Sequence, residues 1–329
     1  MKEKRLFKFG ILALSIVLIA CTGGSAEAGC PEIDGREINV VATTPMIGEF
    51  VSQVGGDNIN LTVLMPAEAD PHTYDPAPQD AGTIADADLV FYTGLKYEPA
   101  ALIKLLENSA CSAEVLAEVG ESVFPIEFKE GGHDDHHDDH DEEGHDDHAG
   151  HDHGAYDPHF WFDPNRVAYA AEYIESKLVE FDPSNASEYE AAGKAYVTEL
   201  KGLVGQVSEL ISTIPSQNRK LITTHESLGY LEAKFGLEVL STIIPSLDSA
   251  NEISPSQLVG VIDVIEDNNV KVIFIEAEAP SVYAETIVAE TGIKAVEGLW
   301  VETLKEGQSY SEFLFDAVEL IVENLRNTD

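Results

Sequence analysis

Basic residues are scarce in this chain of 329 residues. Lysine and arginine together number 19, against 60 aspartates and glutamates, which gives a formal net charge of -41. So acidic a surface repels phosphate backbones and other anions, which argues against nucleic acid as a partner and against anionic ligands. Most of this charge is typical of a solvated surface in salty surroundings, but the ligands that such a surface attracts are cations.

Long apolar runs are also missing, with one exception at the N-terminus. Several basic residues near the start precede the stretch FGILALSIVLIA, which ends just before Cys21. This layout predicts a secretory signal peptide over residues 1–20, because the apolar run is too short to cross a bilayer comfortably. The stretch LIAC resembles a lipobox, in which Cys21 becomes the lipidated N-terminus, and plain cleavage without a lipid is the alternative.

This N-terminus predicts where the protein works. Residues 21–37 are small and polar after Cys21, as expected of a flexible tether to a lipid anchor. The mature chain is then expected at the extracytoplasmic face of the cell membrane, soluble apart from its anchor.

Cysteine is rare as well, since the chain has only Cys30 and Cys111 besides Cys21. In an oxidising compartment outside the cytoplasm these two either form a disulfide or remain separate thiols. The sequence leaves both alternatives open.

What the chain does have is a repeated alternation of strand and helix patterns. Its β-branched apolar runs are mostly unbroken, as in strands buried on both faces of a parallel sheet. Three such runs lie in each half, at residues 38–44, 60–65 and 88–93 and at residues 220–225, 237–244 and 270–276. Helical stretches lie between them, with start signals at residues 44–45 and 254–257. The alternation predicts an α/β protein with two lobes, each a parallel β-sheet flanked by helices.

A long segment without proline separates the two halves. Residues 187–214 place apolar side chains at helical spacing, which predicts one helix about 40 Å long. Such a rigid helix would join an N-terminal lobe (38–186) to a C-terminal lobe (215–329). The carboxyl ends of the strands would then line a cleft between the lobes, where sheets of this kind bind their ligands.

The histidines fall into two groups. Eight of the eleven lie in an acidic tract (131–154) without a helix or strand pattern, which predicts a disordered loop on the first lobe. The other three are His72, His159 and His225. His72 and His159 each end the tripeptide Asp-Pro-His, where proline stiffens the backbone and limits the entropy lost on binding.

His225 ends the predicted strand KLITTH, at the mouth of the second sheet. Three neutral imidazoles that meet at one cleft form a ligand set that zinc prefers. The alternative is that each of the three is an ordinary hydrogen-bonded histidine of the fold.

Four segments resemble one protein family, in the same order along the chain. They are MPAEADPHTYDPAPQD (65–80), YDPHFWFDPNRV (156–167), TTHESLGYLEAKFGL (223–237) and VIFIEAEAPSVYAETIVAETG (272–292). Together they make the chain similar to the zinc- and manganese-binding solute receptors of ATP-binding-cassette metal importers. The resemblance implies two lobes joined by one long helix, with the metal site in the cleft between the lobes.

The resemblance also implies that His72, His159 and His225 bind the metal together with a carboxylate near the C-terminus. Glu302, in the stretch LWVETL, occupies the position where the family commonly has aspartate. Its side chain is longer by one methylene, so a water ligand and an ordinary surface role for Glu302 are the alternatives.

A histidine at position 225 resembles the zinc group of the family, whereas the manganese group tends to have glutamate there. The chemistry agrees, since three nitrogens favour zinc over manganese, although copper and nickel would also bind such a set well.

Other acids lie near these motifs. Asp163 precedes a proline and is interpreted as a helix cap. Asp70 and Asp157 either orient the neighbouring imidazoles or stabilise turns. Glu226 and Glu276 should lie at strand ends near the cleft, and the sequence assigns neither a role.

The acidic tract resembles the histidine-rich loop of zinc-type members of the family. It would hold several ions weakly and keep their concentration high beside the cleft. A solvated charge run with incidental metal affinity is the alternative. The histidines concerned are His133, His136, His137, His140, His145, His148, His151 and His153.

These observations favour a high-affinity zinc receptor that delivers its ion to an ABC-type membrane permease and catalyses no reaction. We expect Zn²⁺ rather than Mn²⁺ as the ligand, and a monomer. The alternatives are a manganese or iron receptor of the same fold, a zinc-dependent hydrolase, and a surface adhesin or zinc store. A hydrolase is disfavoured because the chain lacks an HExxH helix and because a fourth protein ligand leaves no activated water.

Overall fold

The computed structural model describes residues 30, 33, 35–128, 156–278 and 282–326. The signal peptide, the Cys21 anchor and the eight histidines of the acidic tract, all predicted from the sequence, lie outside the described residues. Within the described ranges, no helix is both long and apolar enough to cross a membrane.

The first lobe is built on a sheet of four parallel strands. They are β1 (Ile38–Ala42), β2 (Ile59–Val63), β3 (Leu89–Tyr92) and β4 (Leu116–Glu118). Their order in the sheet is β2-β1-β3-β4. The helices of this half are α1 (Pro45–Gly55), α2 (Asp80–Ala85), α3 (Ala100–Ser109) and α4 (Pro164–Phe181). Helices α1, α2 and α3 form the crossover connections that parallel strands require.

One helix of 27 residues, α5 (Ala186–Ser212), leads from this half to the next and confirms the helix predicted at 187–214. Side chains along one of its faces are buried, including Tyr189, Leu200 and Ile211. They belong to a hydrophobic cluster that contains residues of both halves, from Ile38 to Leu325. The helix therefore joins the lobes through a shared core rather than through a flexible hinge.

The second lobe repeats the plan of the first. Its strands are β5 (Lys220–His225), β6 (Glu238–Ile244), β7 (Val272–Glu276) and β8 (Lys294–Leu299), and its helices are α6 (Gly229–Phe235), α7 (Pro255–Asn268), α8 (Val282–Thr291) and α9 (Tyr310–Leu325). The strands are parallel, in the order β6-β5-β7-β8. The two sheets confirm the predicted two-lobed α/β fold.

All six predicted strands form, and the structure adds β4 and β8, each at one edge of its sheet. Strand β8 reads KAVEGL, and only its last residue, Leu299, is buried. An exposed edge strand lacks the unbroken apolar run by which a buried parallel strand is recognised. This explains why the sequence pattern did not predict it.

Capping side chains set where several helices begin. Thr44 accepts a backbone N–H from the first turn of α1, and proline follows it. Ser254 and Gln257 form the predicted capping box of α7. Asp163 accepts the backbone N–H of Asn165 and caps α4, as interpreted from the sequence. These caps pair N–H groups that have no partner within the helix.

A disulfide joins Cys30 to Cys111, which decides between the two alternatives that the sequence left open. The two residues are 81 positions apart, and the bond ties the segment before β1 to the segment after α3.

Removing this disulfide should destabilise the protein. A cross-link that closes a loop of this size restricts the unfolded chain and contributes roughly 2–4 kcal/mol. The double variant Cys30→Ser/Cys111→Ser should therefore unfold at a lower urea concentration than the oxidised protein, as followed by circular dichroism. Reductant should bring the wild-type midpoint close to that of the variant. Equal midpoints for the oxidised protein and the variant would contradict this prediction.

Candidate metal centre

Four side chains from distant parts of the chain meet between the lobes: His72, His159, His225 and Glu302. Each offers one ligand atom, and these atoms lie within 4.8 Å of one another. The distances from Oε1 of Glu302 to the Nε2 atoms are 3.5 Å for His72, 3.2 Å for His159 and 2.6 Å for His225. The four side chains are at most 5% exposed. Glu302 is therefore not an ordinary surface acid.

The carboxyl ends of strands and the loops that follow them supply three of these residues. His72 lies in the turn after β2, His225 ends β5, and Glu302 follows β8. His159 lies in a short turn directly before α4. Parallel strands bring their carboxyl ends to one edge of a sheet, and in this fold the two such edges face the same cleft.

Two further carboxylates hold the imidazole rings. Oδ1 of Asp157 lies 2.7 Å from Nδ1 of His159 and also accepts the backbone N–H of that residue. Oε2 of Glu276 lies 2.5 Å from Nδ1 of His225. A carboxylate in this position accepts the proton on Nδ1, so Nε2, which faces Glu302, is the ring nitrogen available to a metal ion. Asp157 thus orients its histidine, which was one of the two roles considered for it.

Two other acids singled out from the sequence act elsewhere. Oδ1 of Asp70 accepts the backbone N–H of His72 at 3.0 Å and caps the turn Pro71–Thr73, so this side chain stabilises a turn. Oε1 of Glu226 accepts the hydroxyl of Thr242 at 3.1 Å. Neither carboxylate belongs to the group of four.

Two buried nitrogen atoms of the centre, Nε2 of His72 and Nε2 of His225, have no hydrogen-bond partner among the described residues. Both lie near Oε1 of Glu302, but neither contact has hydrogen-bond geometry, even at 2.6 Å. Buried polar atoms are rarely left unpaired in folded proteins. A cation shared by the nitrogens and the carboxylate would satisfy these atoms together, so the donor set fits a metal ion.

Protons balance the charge of the centre in the metal-free protein. Burial lowers the pKa of His159, but Glu302 and Asp157 outweigh this effect and raise the pKa to about 9. Burial opposes the protonation of His225 too, while Glu276 and Glu302 raise its pKa well above the ordinary value. For Glu302 burial raises the pKa, but the three histidines hold it well below its usual range. A metal ion must therefore displace protons from these rings.

Two residues beside the centre carry no sequence pattern that would have marked them. The hydroxyl of Tyr97 lies 2.9 Å from Oε2 and 3.0 Å from the backbone oxygen of Glu302. Burial and then the charge of Glu302 raise the pKa of Tyr97 well above its ordinary value, so the phenol remains a donor.

Glu278 is the second of these residues. Its Oε1 accepts the backbone N–H groups of Val301, Glu302 and Thr303, and burial raises the pKa of Glu278 to about 8.

Glu276 was placed near the cleft from the sequence but was given no role. A signal for it exists, because an acid that ends the apolar strand VIFIE is buried and needs a partner. In the structure that partner is His225.

The family of the chain follows from comparison with known proteins. The sequence profile of the family described as zinc-uptake complex component A, periplasmic, matches residues 40–327. The chain belongs to this family. A relative, the high-affinity zinc uptake system protein ZnuA of Bacillus subtilis, is 29% identical over 327 residues, or 96% of each chain. The manganese-binding lipoprotein MntA of Halalkalibacterium halodurans is 24% identical over 317 residues, also 96% of each chain.

Solved structures share the fold of this family member. The periplasmic zinc binding protein TroA from Treponema pallidum matches with a TM-score of 0.73 at 22% identity, over 88% of this chain and 99% of that one. A crystal structure of ZnuA matches over the same shares with a TM-score of 0.71 at 26% identity. As a member of the family, the chain is the substrate-binding component of a metal ABC transporter and not an enzyme, which removes the hydrolase alternative.

Metal affinity should rise with pH over the range in which His159 loses its proton. A metal ligand must be deprotonated, and the pKa of His159 is about 9 in the metal-free centre. Zinc affinity, measured by competition with a chelator, should increase about tenfold per pH unit between about pH 6.5 and 8.5 for each proton displaced. A zinc affinity that stays constant over this range would count against the assignment.

The stability of the metal-free fold, in contrast to the metal affinity, should fall as the pH rises. The raised pKa of His159 stabilises the fold fully below about pH 6.5, and this contribution is lost as the pH rises through about 9.

Removing the charge of Glu276 should weaken the centre through His225. Glu276→Gln keeps the size of the side chain but loses the carboxylate that holds Nδ1 at 2.5 Å. Loss of a residue that hydrogen-bonds to a metal ligand typically lowers metal affinity by roughly 10–100-fold. The zinc affinity of the variant should fall by that amount. Glu226→Gln is the matched control, because Glu226 follows His225 in the chain but bonds to Thr242. Equal losses in both variants would show that the effect does not pass through His225.

Proposed function

We propose that the chain is the extracytoplasmic zinc receptor of an ABC importer and delivers its ion to the membrane permease. One zinc ion binds to His72, His159, His225 and Glu302. The observation that supports this proposal best is the convergence of three imidazole nitrogens on one buried carboxylate oxygen. The ion is cargo, so the centre binds and releases it unchanged.

The ligand chemistry favours zinc over manganese. Three nitrogens and one carboxylate oxygen match the four-coordinate, nitrogen-rich shell typical of zinc. Manganese prefers carboxylate, carbonyl and water oxygens. Relatives are named for both metals: ZnuA of Bacillus subtilis for zinc, and PsaA of Streptococcus anginosus for manganese. Overall similarity therefore does not choose between the two metals. A manganese or iron receptor of the same fold is the alternative.

The N-terminal pattern supports attachment to the membrane. We expect removal of residues 1–20, lipidation of Cys21 and a tether that extends to residue 37. Relatives such as MntA and PsaA are named lipoproteins. A monomer held in this way, with lobes at 38–186 and 215–329 on either side of α5, would meet its permease at the outer face of the membrane.

The acidic tract supplies a second, weaker means of holding metal. It lies between Glu127 and Tyr156, which pair in an antiparallel bridge. Tyr156 is three positions before His159, so in the sequence the tract adjoins the segment that supplies one ligand of the centre. Imidazoles joined to this segment raise the local concentration of zinc. The tract therefore captures ions for the cleft.

A competitive titration of zinc against manganese tests this function. A variant without residues 131–154 is used, so that the histidines of the tract do not contribute. One tight zinc equivalent is expected, with much weaker manganese binding. His225→Ala removes a ligand. It should therefore lower zinc affinity by more than the roughly 10–100-fold that is typical when a residue hydrogen-bonded to a ligand is lost.

His148→Ala in the protein with its tract intact is the control, and it should leave the tight equivalent unchanged. Tighter binding of manganese than of zinc would make manganese the substrate. Loss of all tight binding on removal of the tract would place the site in the tract instead of the cleft.

A further inference from the structure

The two carboxylate oxygens of Glu302 have different surroundings. Oε1 lies within 3.5 Å of Nε2 of all three histidines. Oε2 accepts a hydrogen bond from the hydroxyl of Tyr97 at 2.9 Å. A charge-assisted hydrogen bond of this length is strong, and it engages one lone pair of Oε2 and holds this oxygen toward the phenol. Oε1 is thus the oxygen that lies beside the imidazole nitrogens, and Oε2 is the oxygen that faces Tyr97.

Packing holds Tyr97 in this position. The residue is 1% exposed. Its ring meets the rings of His72 and Trp161 edge-on, with centroids 5.3 and 5.2 Å away. Its hydroxyl also lies 3.0 Å from the backbone oxygen of Glu302, so the main chain and the side chain of that residue are both placed relative to Tyr97. These ring contacts and the two hydrogen-bond distances place the phenol against Oε2.

The backbone before Tyr97 is held in an unusual conformation. Gly94, Leu95 and Lys96 have φ angles of 76°, 53° and 63°, a region that side-chain-bearing residues rarely adopt. Glu98 accepts the backbone N–H groups of Thr93 and Gly94, and Glu118 accepts that of Leu95. Backbone strain of this kind persists only where the surroundings determine it, and it is concentrated at functional sites.

We propose that Tyr97 is a positioning residue that restricts Glu302 to one ligand oxygen and so selects a four-coordinate ion. This inference rests on the ligand set of the proposed function. With Oε2 held toward Tyr97, the protein offers three nitrogens and Oε1 as ligands, which suits zinc. Cations that need a larger, oxygen-rich shell, such as manganese, would use the second oxygen of Glu302, and Tyr97 withholds it.

The test is Tyr97→Phe, which removes the hydroxyl and keeps the ring. Zinc and manganese affinities are measured by competition on the whole protein. The ratio of zinc to manganese affinity should fall by about tenfold or more, the size of effect expected for an outer partner of a metal ligand. Cobalt(II) bound in place of zinc supplies a second measurement, since its visible absorption is intense in four-coordinate sites and weak in sites of higher coordination. The variant should lose intensity.

Tyr189→Phe is the matched control, because Tyr189 is also buried and donates to a carboxylate, that of Asp182, away from the centre. It should leave both measurements unchanged. An unaltered affinity ratio and cobalt spectrum in Tyr97→Phe would overturn the inference. A wild-type protein that binds manganese more tightly than zinc would instead contradict the proposed function, and the cobalt comparison would still decide whether Tyr97 limits Glu302 to one oxygen.

Discussion

A carboxylate buried among three imidazoles is the interaction on which the rest of the structure depends. Glu302 is 1% exposed, and an ionised group in such a place is tolerated only when other charges and hydrogen bonds compensate it. The imidazoles surround Oε1, Tyr97 donates to Oε2, and Glu278 accepts from the backbone on both sides of the residue. In the metal-free protein the raised pKa values of His159 and His225 keep protons on these two rings, and a divalent cation can replace them.

The fold brings these groups together by joining two lobes through a common core. His72 and His159 come from the first half of the chain, and His225 and Glu302 come from the second. The hydrophobic cluster around α5 includes residues of both halves, and the four ligand atoms lie within 4.8 Å of one another. Local contacts rather than overall similarity must then decide the metal, because relatives of comparable identity are named for zinc and for manganese.

Much of the architecture could be predicted because burial leaves a pattern in short segments. The six predicted strands and α5 follow from unbroken or periodic apolar runs, whereas β4 has only three residues and β8 is almost wholly exposed, so neither leaves such a run. The disulfide stayed undecided because it requires two segments 81 residues apart to meet.

By itself the sequence determined the two-lobed α/β fold and three candidate ligands, His72, His159 and His225, because hydrophobic periodicity, Asp-Pro-His turns and strand ends are properties of short stretches. The fourth, Glu302, came only from the resemblance to the family. Only the tertiary structure decided which atoms face one another. It placed Glu276 on the ring of His225 and Tyr97 on the second oxygen of Glu302, a residue 205 positions away in the chain. Contacts of this kind depend on how the two lobes pack, and no local pattern of residues specifies them.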